Sequence, residues 1–121
     1  MSIRMGAVAL DCEDPGSLAR FWAALLGGEV VVELASFAAV KIPGLWITAQ
    51  KVDGYRRATW PEDDVAKQIH LDLAVDELEA TSARAIELGA RLADVQPAPD
   101  RYFVLIDPAG HPFCLTTQIP D

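Results

Sequence analysis

Residues 7–12, Ala-Val-Ala-Leu-Asp-Cys, lead through Glu13-Asp14-Pro15 into an apolar-periodic run from Leu18 to Leu26 that stops at Gly27-Gly28. The same outline returns at 70–89. There His70-Leu71-Asp72-Leu73-Ala74-Val75 leads through Asp76-Glu77 into Leu78 to Leu88 and stops at Gly89. An alternating strand, an acidic helix start, a helix and a glycine stop therefore occur twice. A repeat distance of about sixty residues is too long for a solenoid period, so the duplication predicts two small modules that each need a partner face to bury.

Working outward from the first copy, Val8, Leu10 and Cys12 share one face of the strand, and Ala7, Ala9 and Asp11 share the other. Asp14 is placed to cap the helix with Pro15 at its first position, and Leu18, Phe21, Trp22, Leu25 and Leu26 recur at three- and four-residue spacing. Trp22 is thereby a core residue. Three short β-rich runs follow, Glu29 to Leu34, Phe37 to Ile42 and Leu45 to Gln50, separated by Ala35-Ser36 and Pro43-Gly44. The first module reads βαβββ over about 1–50.

Residues 51–68 carry neither period, contain Gly54, Pro61 and a cluster of acids, and are expected to link the modules, with Trp60 anchoring the segment to the body. The second module, about 69–121, begins with a strand from Ile69 to Val75 that sets Leu71, Leu73 and Val75 against His70, Asp72 and Ala74. Asp76 is expected to cap its helix, with Glu79 three residues on. Arg91 to Asp94, Tyr102 to Asp107 and Phe113 to Gln118 read as the remaining strands. Asp107-Pro108-Ala109-Gly110 suits a tight turn, since aspartate favours its first position, proline the second and glycine the fourth.

Composition narrows the function classes. The 121 residues are 51% hydrophobic and 23% charged, a globular balance, with no run long enough for a membrane span. A net charge of −8 disfavours nucleic acid and points, where it carries information, to a cationic partner. Met-Ser-Ile-Arg-Met-Gly shows no export signal, so a cytoplasmic setting is expected, with Cys12 and Cys114 reduced. No G-x-S-x-G, phosphate-cradling glycine loop or H-E-x-x-H occurs.

The non-helix faces of the strands, lined by Ala7, Ala9, Asp11, His70, Asp72, Cys114 and Thr116, are too polar for a dry core and suit a concave cleft for something small. Ala7, His70 and Cys114 are expected to look into one shared hollow. Trp46 and Trp60 are candidates to stack on a planar ligand. Asp72 and Asp11 are candidates to act as a base or to pair with a cationic ligand. His70 reads either as a structural residue bonded to Asp72 or as a ligand contact, and Cys114 either as a buried hydrophobe or as a metal donor.

Four segments in order resemble the glyoxalase-like branch of the vicinal oxygen chelate superfamily, which also holds bleomycin-resistance proteins and extradiol dioxygenases. They are Asp14-Pro15 before Leu18-Ala19-Arg20-Phe21-Trp22, then His70 to Val75, Leu88-Gly89-Ala90, and Asp107 to Cys114. The resemblance implies an α+β fold of paired βαβββ modules whose curled mixed sheets enclose a cleft, commonly in a homodimer. It also implies a divalent metal held by one side chain from the first and one from the last strand of each module. Those positions fall on Ala7, on or near Gln50, on His70, and on Cys114 where a glutamate is usual.

Alanine cannot ligate and an amide is a feeble donor, so the standard site is expected to be absent. If a metal is held, His70, Cys114 and Gln50 are its donors, and zinc suits the thiolate best. Three readings follow, with no catalytic residue assigned. The favoured one is a cofactor-free small-molecule-binding protein of the bleomycin-resistance type with a cationic or aromatic ligand. The alternatives are a divalent-metal-dependent lyase, isomerase or dioxygenase, and a metal-free acid/base enzyme using His70 and Asp72.

Overall fold

The computed structural model describes residues 2–62 and 64–120 and divides into two compact units, Met1–Tyr55 and Arg56–Asp121. In the first unit β1 (Ala7–Cys12), α1 (Pro15–Leu26), β2 (Glu29–Glu33), β3 (Phe37–Ile42) and β4 (Leu45–Lys51) follow one another. The sheet order is β1-β4-β3-β2, with β1 parallel to β4 and the other pairs antiparallel. α1 lies against β2, β3 and β4.

Local chemistry sets the ends of α1. Asp14 is its N-cap and accepts from the Ser17 N–H at 3.3 Å, and Pro15 opens the first turn, where a missing N–H costs nothing. Gly27 closes the helix in the left-handed region at φ 68°, which a side chain would resist. Gly28 is small for a different reason: an added Cβ would lie 2.7 Å from both the Lys41 carbonyl oxygen and Ile42 Cγ2. The helix stripe buries Leu18, Phe21 and Trp22, and Leu10, Cys12, Val40 and Ile47 are buried on the strands, with Phe21 and Trp22 edge to face at 5.1 Å.

In the second unit β5 (Leu71–Ala74), α2 (Leu78–Leu88), β6 (Arg91–Leu92), β7 (Tyr102–Ile106) and β8 (Pro112–Thr116) repeat the pattern. The order β5-β8-β7-β6, with β5 parallel to β8, is that of the first sheet position for position. The duplication read from the sequence is thus a duplication of topology, and the α+β class of two mixed sheets with one helix each holds. Leu105, Phe113, Leu115 and Ala85 are fully buried, with α2 against β6, β7 and β8. Among the described residues no helix is long and apolar enough to cross a membrane.

Several boundaries differ from the expectations. The strand expected from Ile69 begins at Leu71, because the parallel ladder opens at Leu71↔Phe113 and the preceding level on β8 is Pro112, which has no N–H to give. The helix expected to be capped by Asp76 has Glu77 as N-cap, with no side-chain hydrogen bond there. Two adjacent acids made both starts equally good locally. The strand expected over Arg91 to Asp94 keeps only Arg91 and Leu92. Beyond it the Gln96 amide takes over the pairing, donating to the carbonyls of Ala93 and Val104 at 2.9 and 2.8 Å and accepting from the Val104 N–H at 2.9 Å.

The turn at Asp107 forms as the sequence indicates. The Gly110 N–H donates to the Asp107 carbonyl at 2.9 Å, and the buried Asp107 carboxylate accepts from the N–H groups of Ala109 and His111, each at 2.9 Å. Of the segment read as a linker, residues 56–68 belong to the second unit. Thr59 and Val65 close a loop there, with the Thr59 N–H on the Val65 carbonyl at 2.7 Å and the Val65 N–H on Thr59 Oγ1 at 2.9 Å. Trp60 packs on Ala93, Val104 and Ile106, the anchoring role expected of it.

Candidate functional site

Strand register builds the site. In the parallel pair Asp72 stands directly beside Cys114, and across the antiparallel pair Cys114 faces Val104 while Thr116 faces Tyr102. Because side chains alternate, His70, Asp72, Pro112, Cys114, Thr116, Tyr102 and Val104 emerge on one face, and Phe113 and Leu115 are buried on the other. Trp60 and Lys67 from the segment before β5 and Pro97 from the segment before β7 complete a cavity of about 310 Å³. That is at the small end of the range for organic ligands.

The cavity has an apolar wall of Trp60, Tyr102, Pro97 and Val104, and a polar floor. On the floor His70 Nε2 lies 3.4 Å from Asp72 Oδ1, and single donor atoms of His70, Asp72 and Cys114 all fall within 4.8 Å of one another. Lys67 Nζ sits 5.7 Å from the centre of the Trp60 ring, a cation–π distance. Thr116 Oγ1 is held by the Arg101 carbonyl at 3.2 Å.

Burial raises the Cys114 thiol above its ordinary value, the neighbouring Asp72 charge raises it further, Lys67 opposes, and a hydrogen bond to Asp72 adds to the rise. Folding thus holds this proton more tightly than the unfolded chain does. The thiol's contribution to stability is therefore complete below the unfolded thiol's titration and is lost as pH climbs through the raised folded value.

Alkylation of chelator-treated protein tests this directly. In Asp72→Asn the inflection of the Cys114 rate against pH is expected to move down, and in Lys67→Gln up, with mass spectrometry locating the adduct. Cys12 has no exposed surface and serves as the silent control. An inflection unmoved by Asp72→Asn would contradict the electrostatic account.

Of the residues singled out by sequence, His70, Asp72, Cys114 and Trp60 come together around this cavity. Asp11, Trp46, Gln50 and Ala7 belong to the first unit. There Asp11 is exposed and stands in register with Gln50, Ala7 is exposed in register with Trp46, and Lys41 Nζ lies 5.9 Å from the Trp46 ring. The Gln50 carbonyl accepts from Cys12 Sγ at 3.5 Å. Sequence reading missed Tyr102, Lys67 and Pro97. The first could have been found from strand alternation once β7 was paired with β8, whereas Lys67 and Pro97 lie in irregular segments with no period to place them.

A family model described as glyoxalase-like domain matches residues 7–116. No curated protein matches the chain. Among solved structures, a glyoxalase/bleomycin resistance protein/dioxygenase family enzyme from Burkholderia phytofirmans superposes with a TM-score of 0.71 at 17% identity, covering 93% of this chain and 97% of that one. A fosfomycin resistance protein from Listeria monocytogenes gives 0.70 at 19% identity, covering 96% and 93%. The bleomycin-binding protein of Streptomyces verticillus, complexed with copper(II)-bleomycin, gives 0.62 at 18% identity, covering 98% and 99%. At such identities the likeness is one of fold.

Proposed function

The chain belongs to the glyoxalase-like family of the vicinal oxygen chelate superfamily, and from that premise we propose that it is a small-molecule-binding protein of the bleomycin-resistance type, with a planar aromatic ligand held in the cavity of the second unit. The observation that carries the reading is the cavity's division into an aromatic wall and a small polar floor. Trp60 and Tyr102 line the cavity with aromatic surface, and a few convergent polar groups are enough to orient what lies against it. An amine on the ligand can pair with Asp72, which suits the acidic chain.

The four-donor metal arrangement of the family does not fit these residues. Ala7 presents a methyl group on β1, and an amide at Gln50 is a weak neutral donor. The relatives named for bleomycin binding and fosfomycin resistance support a ligand-binding role within the family without fixing the ligand. A homodimer is part of the same proposal, checked by light scattering.

A thermal-shift screen against amines, planar aromatic compounds and 2-oxo acids tests the reading. Planar aromatics are expected to raise the melting temperature and to be recovered unchanged after prolonged incubation. A compound that is consumed would instead favour an enzyme, and a screen in which only 2-oxo acids stabilise would favour acid/base chemistry at His70 and Asp72.

A further inference from the structure

The sheet face that carries the cavity of Trp60 and Asp72 continues past it. Arg91 on β6 stands in register with Ile106 on β7, and Ile106, two residues beyond Val104, emerges on the same face as Val104 and Cys114. Over this end of the sheet residues 57–62 line a second cavity of about 310 Å³, and Trp60 borders both. Four charged side chains line the second cavity, Arg57 and Arg91 with Glu62 and Asp94. Among the described residues no ion pair engages any of the four.

Arg57 is held in place from two sides. Its Nη1 donates to the Pro108 carbonyl at 2.7 Å, and its stem lies against Gly110, where a Cβ would come within 2.9 Å of Arg57 Cβ and 3.1 Å of Nε. Gly110 also has φ 94°, so the turn and the seat of the arginine both exclude a side chain there. A guanidinium has five N–H donors, and with one engaged by Pro108 the rest of the planar fork is free to meet a carboxylate.

We infer that this second cavity binds a small zwitterion of the amino-acid class, its carboxylate on Arg57 and Arg91 and its ammonium on Glu62 and Asp94. Two cations and two anions sum to zero, so a plain anion or a plain cation meets repulsion along with attraction. A molecule that carries both signs can pair with all four groups. Ala93 and Ile106 are buried beneath, and with Trp60 they give apolar surface to the carbon frame between the charges. The site goes beyond the reading of the first cavity, because its ligand needs no aromatic ring and makes no use of Asp72.

Calorimetric titration of the whole chain with glycine, L-leucine and L-glutamine tests it, with circular dichroism confirming that each protein is folded. At least one is expected to bind with one equivalent. The N-acetyl derivative of that amino acid, without its ammonium, and the methyl ester, without its carboxylate, are each expected to bind at least about tenfold more weakly, since each loses hydrogen bonds between charged groups. Arg91→Gln is expected to weaken the amino acid by a similar factor, and Arg57→Lys, which keeps the charge and loses the fork, to weaken it as well. Arg84→Gln removes the same charge from an exposed position on α2 and is expected to bind as wild type does. Absence of binding to wild-type protein would overturn the site. So would equal affinity for the N-acetyl derivative, unchanged affinity in Arg91→Gln, or a loss in Asp72→Asn as large as that in Arg91→Gln, which would place the ligand in the first cavity.

Discussion

Truncating Phe113 to alanine is expected to lower the unfolding free energy by about 3–5 kcal/mol, the usual range for removing a buried aromatic ring. Phe113 has no exposed surface and lies in the second strand of its sheet, in register with Leu71 on one side and Leu105 on the other. α2 packs on the same strand, so the ring has neighbours on every side that cannot all close over the space it leaves. Against a total stability of about 5–15 kcal/mol the loss is large. Urea denaturation checks it through the midpoint at unchanged slope, and a change below about 1 kcal/mol would mean the site can collapse. Because Cys114 follows directly, the same variant is expected to loosen the cavity floor.

The companion change in the first unit is Trp22→Ala, with an expected cost also of about 3–5 kcal/mol. Trp22 is 1% exposed, sits edge to face with Phe21 at 5.1 Å and an interplanar angle of 83°, and belongs to the helix stripe that covers β2, β3 and β4. The loss combines area returned to water, a cavity, and a ring contact worth about 0.5–1.5 kcal/mol beyond area. Trp22→Phe retains an aromatic ring and is expected to lose clearly less than the alanine variant by the same denaturation measurement. Equal losses would point to a specific indole interaction in place of packing.

The fold was legible because its cues are local and are stated twice. Asp14-Pro15 opens α1, Gly27-Gly28 closes it, and the alternation of β1 and β5 gives each sheet a buried face; every one of these needs only residues a few positions apart. Where two local answers were equally good, tertiary packing chose. Asp76 and Glu77 are both helix starters, and the helix begins after the second. β6 is short because the Gln96 side chain replaces a strand's pairing, which no period in sequence announces.

The site was legible by halves. Alternation alone placed His70 and Asp72 on one face, and Cys114 and Thr116 on one face. That Asp72 stands beside Cys114 depends on the register of two strands forty residues apart, where a slip of one position would turn the sulfur to the buried side. Trp60 was noted as an aromatic candidate and packs where it can serve as both anchor and wall. Lys67, over the same ring, comes from a stretch with no pattern at all.

The most direct test of the central claim, that the second unit's cavity receives a planar organic molecule against Trp60, is calorimetric binding of one screening hit to wild-type protein and to Trp60→Ala. Loss of the ring face is expected to weaken binding by roughly tenfold, equivalent to about 1.4 kcal/mol. A hit bound with the same affinity and enthalpy by folded Trp60→Ala protein would contradict the account.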